Sequence, residues 1–199
     1  MENQRLNEHS VTLRGELLTL RPMTENDWDT VQKWESDPEV LYYFDGDWIT
    51  ERELETTQMI YRGVSQNAFM FIAEYDVRPI GVCWLQKMNL DRISEQFPGH
   101  DLRRIDLALG EKDLWGRGLG TEMIRMLTEF GFERERCDAI FGCGTAEYNP
   151  RSRRAFEKNG YVLLEEVPQP EGMKAKAQYD LVRWRPDRRV SPPPPGTTA

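Results

Sequence analysis

The stretch "LWGRGLGTEMIRMLTEFGF", Leu114 to Phe132, decides the fold, because it sets three glycines within five residues directly ahead of an amphipathic helix. Glycine costs backbone entropy in regular structure, so Gly116, Gly118 and Gly120 require a reason. Downstream, Met123, Ile124, Met126, Leu127 and Phe130 recur at helical spacing and form one apolar stripe. That stripe docks the helix on a sheet and holds its first turn still. The free N–H groups of that turn, with the loop amides from Arg117 to Gly120, then make an anion site suited to phosphate. The glycines let a phosphate reach the backbone without a Cβ in the way. Arg117, between two of the glycines, can add a point charge. A plain tight turn is the competing reading. A P-loop is excluded because no GK[ST] follows, and a dinucleotide fingerprint because G-x-G-x-G has the wrong spacing.

Outward from this segment the chain alternates strand and helix patterns. "ELLTLRPM" (16–23) reads as a first strand, and Thr24 caps a helix in "TENDWDTVQKWESD" that Pro38 helps to end. The aromatic and acidic "EVLYYFDGDW" (39–48) follows, then a polar helix from about Glu51 to Val64. "AFMFIAEYD" and "PIGVCWLQKM" form a hairpin. After the polar loop 89–102, "RRIDLALG" is a strand. The glycine loop and its helix come next, then the strand "DAIFGCGTAE", the short helix "SRRAFEKNG" and a last hairpin. The order β-α-α-β-β-β-α-β-α-β-β predicts a single α/β domain. Its sheet is mixed and mostly antiparallel, flanked by helices, with one β-α-β crossover. The expected boundaries are an N-terminal extension at 1–15, the domain at 16–186 and a Pro-rich disordered tail at 187–199.

Composition narrows the function classes. The 199 residues carry a net charge of -8, which recommends no nucleic-acid partner and favours a cationic ligand or plain solubility. No apolar run reaches the length of a membrane span, and "MENQRLNEHSV" lacks the layout of a signal peptide, so a cytoplasmic protein is expected. Cys83, Cys137 and Cys143 form no CxxC pair, and His9 and His100 are the only histidines, so no metal is expected.

"GRGLGTEMI", preceded by "IDLALGEKDLW" and followed by "YNPRSRRAFEKNGY", resembles the GNAT family of N-acetyltransferases, over most of Leu17 to Trp184. The resemblance implies acetyl-CoA as co-substrate. Leu107, Ala108 and Leu109 would offer backbone groups to its pantetheine arm. Trp115, Gly116, Arg117, Gly118, Leu119, Gly120 and Thr121 would hold its pyrophosphate, and Asn149 and Phe156 would lie beside the acetyl end. Two positions depart from the family pattern. Trp115 stands where a Gln or Arg is usual, and Phe156 replaces the tyrosine that often protonates the leaving thiolate, which leaves Tyr148 or water for that task.

Acetyl transfer to an amine needs a nucleophile held beside a thioester and a group that takes its proton. Asp106 is the first candidate base, since it alternates with Ile105, Leu107 and Leu109 and so faces the opposite side of the strand. The alternative is an Asp at a strand edge, solvated or paired with Arg103 or Arg104. Glu147 is a second candidate. Within the family the chain is most similar to aminoglycoside 6'-N-acetyltransferases, through "LTLRPMTENDWDTVQKW", "VLYYFDGDW", "PIGVCWLQ" and "RRIDLALGEKDLWGRGLGT". In that group an aspartate matching Asp106 contacts the amine, while a second acidic position is Gly144 here. A small polycationic sugar calls for carboxylates and flat apolar faces. Tyr43, Asp45, Asp47, Trp48, Trp84 and Asp101 are the candidate substrate contacts, with a core-packing cluster as the other reading of 42–48. Protein N-terminal, siderophore and polyamine acetylation remain alternative activities, and a monomer or homodimer is expected.

Overall fold

The computed structural model describes residues 5–45 and 49–188. Its centre is one eight-stranded sheet in the order β1-β2-β3-β4-β5-β6-β8-β7. The strands are β1 (Leu13–Arg14), β2 (Thr19–Pro22), β3 (Ala68–Tyr75), β4 (Arg78–Lys87), β5 (Leu102–Leu109), β6 (Ala139–Ala146), β7 (Val162–Pro168) and β8 (Ala177–Trp184). All neighbours are antiparallel except β5 and β6. The glycine segment lies in that one parallel crossover, as the order of elements predicts.

Thr24 caps the first helical segment as expected. Its hydroxyl accepts from the Asn26 amide, and the Asp27 carboxylate reaches back to the Thr24 backbone at 2.8 Å. A short 3₁₀ turn then leads into helix α1 (Trp28–Glu35), which buries Trp28, Val31, Trp34 and Glu35 on one face. Pro38 does more than stop this helix. It occupies the first turn of a second helix, α2 (Pro38–Phe44), where its missing N–H costs nothing, and the Asp37 side chain caps the amides of Glu39 and Val40. The aromatic stretch is therefore helical up to Phe44. Helix α3 (Leu54–Ser65) follows, and the short α4 (Asp91–Ser94) lies in the loop between β4 and β5.

Helices α5 (Leu119–Glu133) and α6 (Pro150–Lys158) pack on one face of the sheet with Phe71, Leu85, Ile105, Ile140 and Leu181. Helices α1 to α3 cover the other face through Val31, Trp34, Tyr61, Ile72, Val82 and Trp84. Ile93 and Phe97 close a smaller cluster over Leu102, Phe141 and Val182. The segment set apart as an N-terminal extension joins this packing. Leu6 and Leu13 are buried, β1 pairs with β2, and the His9 ring sits edge-on to Phe69 and Phe71. Of the Pro-rich tail only 187–188 falls within the described residues.

The crossover sets up the site. β5 and β6 pair only at Leu102↔Ala139, Arg103↔Ile140 and Arg104↔Phe141. Beyond those three residues the strands separate, and β6 slips its register on β8 between Gly142 and Thr145. The upper half of β5 thus faces a gap instead of a neighbouring strand.

Candidate active site

A cavity of about 390 Å³ fills this gap. Its walls are the upper half of β5, the glycine loop with the first turn of α5, the end of β6, one face of α6, and α2.

The loop conformation explains two of the glycines. Gly116 (φ +80°) and Gly118 (φ +84°) adopt left-handed backbone that side-chain-bearing residues rarely tolerate. Gly118 is the N-cap of α5 and offers no side-chain cap. The amides of Leu119, Gly120 and Thr121 therefore have no intrahelical acceptor, at the positive end of the helix dipole. Gly120 is different, because a Cβ there would meet only Leu107 Cδ1 at 3.6 Å, an ordinary contact. Nothing in the protein demands glycine at 120. Its bare backbone keeps a cradle open to an incoming group, which fits a pyrophosphate.

Arg117 is exposed and stands outside the cavity wall. The cations that do line it come from α6: Arg151, Arg154 and Lys158. Sequence reasoning missed them, although their i, i+3, i+7 spacing places all three on one helix face. Trp115 fills its position structurally. Its indole N–H donates to the Leu109 carbonyl at 2.7 Å, and the Arg151 guanidinium lies 4.8 Å from its ring and 4.6 Å from that of Tyr43. One carbonyl expected to serve the pantetheine arm is thus already engaged. Asn149 caps α6 by accepting from the Ser152 amide, and its Nδ2 donates to the Tyr43 carbonyl at 3.3 Å, tying α6 to α2. Phe156 is 2 % exposed, its ring packed on Tyr161 at the cavity floor.

Asp106 lines the cavity on the face opposite Ile105 and Leu107. Both of its oxygens are occupied. Arg104 Nε donates to Oδ2 at 2.8 Å and Nη2 to Oδ1, a bidentate pair. Asp45 also reaches the wall, paired with Arg52, whose other arm holds buried Glu35. Tyr148 lines the cavity beside Tyr42. Burial first, then the neighbouring Tyr42, Glu147 and Asp45, pushes its hydroxyl up to about 12, so it keeps its proton at neutral pH.

Three candidates lie elsewhere. Glu147 is outside the wall, its carboxylate accepting from the amides of Lys176 and Ala177, which hold its pKa down against its partial burial. Asp101 precedes β5 at the closed end of the parallel pair and grips Arg103 at 2.7 and 3.0 Å. Trp84 is buried between Phe44 and Tyr61 and forms core instead of wall. Asp47 and Trp48 lie outside the described residues. Among the described residues no helix is long and apolar enough to cross a membrane.

The fold has known counterparts. Residues 18–162 match the profile of the acetyltransferase (GNAT) domain. A curated aminoglycoside N(6')-acetyltransferase type 1 from Klebsiella pneumoniae is 25% identical over 166 residues, covering 81% of this chain and 82% of that protein. A solved structure of AAC(6')-Ib with ribostamycin and coenzyme A superposes with a TM-score of 0.70 at 25% identity, over 85% of this chain and 94% of that one. A spermidine N-acetyltransferase from Vibrio cholerae shares the fold at a TM-score of 0.68 and 15% identity, over 86% of this chain and 97% of the other. With a splayed parallel pair, a glycine loop that starts a helix, and a domain match over most of its length, the chain belongs to the GNAT acetyltransferase family.

Proposed function

We propose that the chain transfers the acetyl group of acetyl-CoA to the primary amine of a small cationic molecule, the 6'-amine of an aminoglycoside being the acceptor of choice. The observation that carries the reading is the gap between β5 and β6, which has the unpaired α5 amides at one side and Asp106 in its wall. Similarity to proteins named as aminoglycoside acetyltransferases, at 25% identity, supports the acceptor.

The residues divide the work between binding and proton handling. The α5 first turn, Gly120 and the α6 cations would hold the pyrophosphate and phosphate of the co-substrate, whose thioester supplies the acetyl carbon. Alignment of amine and thioester in the gap provides most of the rate. Asp106 anchors the substrate ammonium and takes the proton that must leave before nitrogen can attack. Phe156 has no proton to give, so Tyr148, protonated and on the wall, is the candidate to return one to the departing thiolate, with water as the alternative.

The test is thiol release from acetyl-CoA with kanamycin, spermidine and a peptide bearing a free N-terminus. Asp106→Asn should lower kcat/KM by roughly 10²–10⁴, the usual effect of a positioned acid or base. The acetyl-CoA-induced rise in melting temperature should stay unchanged in this variant. Release with none of the amines would refute the activity, and full turnover by Asp106→Asn would refute the base.

A further inference from the structure

We propose that Arg104 occupies the place of the substrate's ammonium on Asp106, and that an acceptor amine binds by displacing this guanidinium, so that Arg104 sets which amines are accepted. The inference rests on the acetyltransferase reading and names a selectivity device inside that site.

Arg104 and Asp106 are two residues apart on β5, so both side chains project from the same face. The guanidinium takes both carboxylate oxygens, through Nε and Nη2. Asp106 forms cavity wall, whereas Arg104 does not. An arriving ammonium therefore meets a carboxylate already neutralised from behind. Sharing Asp106 would set two cations side by side in a partly dehydrated site, where like charges repel strongly. Exchange avoids that cost.

Arg104 has somewhere to go. Its Nη1 already donates to Asn89 Oδ1 at 3.3 Å. Burial works against its charge, and the carboxylates of Asp106, first, and of buried Asp180 outweigh that cost. Asp180 accepts from the Gly144 amide and pairs with Arg92 of α4, which also bonds Glu165 of β7. The retracted guanidinium would join an existing lattice of alternating charge, without being stranded. The exchange penalises weak cations and rewards an amine that brings enough further contacts to outcompete a bidentate guanidinium.

Arg104→Gln keeps much of the side chain's length and removes its charge. Calorimetric titration of the CoA-loaded protein with kanamycin, spermidine and phenethylamine should show tighter binding in the variant, by about tenfold, the scale of one charge-assisted hydrogen-bonded pair. Phenethylamine, with the fewest other contacts, should gain most. Arg104→Lys, which retains the charge but cannot take both oxygens in a planar fork, should show a smaller gain in the same direction. If Arg104→Gln does not fold, Arg104→Lys decides alone. Affinity unchanged or lowered for all three amines, with CoA binding intact, overturns the exchange. The titration reads binding, so it stands apart from the activity test: a chain that releases no thiol refutes the acetyltransferase reading and can still show or fail to show the gain.

Discussion

Replacing Phe156 by alanine removes a buried ring that packs edge-on against Tyr161 with centroids 5.0 Å apart. Its other side rests on β6, where a Cβ added at Gly142 would fall 2.6 Å from Phe156 Cζ and 2.7 Å from Cε1. The ring is enclosed by α6, Tyr161 and a strand that cannot retreat, because Gly142 pairs with Leu181. Truncation should cost about 3–5 kcal/mol, the range for burying and then deleting an aromatic ring. At about 2–4 °C per kcal/mol for a chain of this size, the melting temperature should fall by about 6–20 °C. Gly142→Ala, in ordinary backbone, should cost about 1–3 kcal/mol by overpacking against the same ring. In the double variant the ring is gone and the new methyl occupies part of its void. The two losses should then fall short of their sum by about 1–3 kcal/mol, a coupling read from urea unfolding of the four proteins. Additive losses would refute the contact and with it the account of how α6 is seated on the splayed strand.

Two other outcomes test the site and the fold. Gly118→Asp forces a side chain into left-handed backbone and puts a negative charge at the helix N-terminus, so it should abolish the acetyl-CoA-induced rise in melting temperature, and an unchanged rise would remove the phosphate role from this loop. The Glu25 carboxyl is held down at about 2, chiefly by Arg62, with the Leu6 amide and the Trp28 indole N–H adding to it. A folded pKa below the unfolded one means stability that is present above about pH 4.3 and lost as pH falls toward 2. The stability difference between the wild type and Glu25→Gln should be constant from pH 6 to 8 and shrink between about pH 5 and 2; parallel curves would contradict the assignment.

Local rules account for what was legible in the sequence. The β3–β4 hairpin follows from two short apolar runs on either side of a turn at Asp76 and Val77, both in left-handed backbone. The docked α5 follows from its stripe, and its cradle from glycines that act on their own backbone. The misses are of two kinds. β1 has two residues and α4 has four, too short for any period to show. Pro38 is ambiguous by nature, since the ring that ends one helix is equally suited to begin the next, and only Asp37 as a cap favours the second use. Distance along β5 was the other difficulty. At about 3.3 Å per residue, Asp101 lies about 16 Å from Asp106, far enough to fall outside the site although one adjoins and the other belongs to the same strand.

Charge is where summation over the sequence misleads most. A net charge of -8 and an acidic segment at 39–48 suggest a surface built for a polycation. Among the described residues, three carboxylates near the gap are committed to cations of the chain itself: Asp45 to Arg52, Asp106 to Arg104, Asp180 to Arg92. Lys174 adds a further positive charge above the rings of Tyr42 and Tyr148. With Arg151, Arg154 and Lys158 on the wall as well, the local field is far from the negative one the overall charge suggests. Long-range attraction between an acidic protein and a basic ligand is screened beyond about 8–10 Å at ordinary salt, so it speeds encounter without selecting the acceptor. Under the proposed exchange, selection occurs inside the gap, by which cation ends up on Asp106. If Arg104 gives way as proposed, that choice depends on the contacts an amine can add along α2 and Tyr148, so the identity of the acceptor would be written in paired side chains and not in the composition.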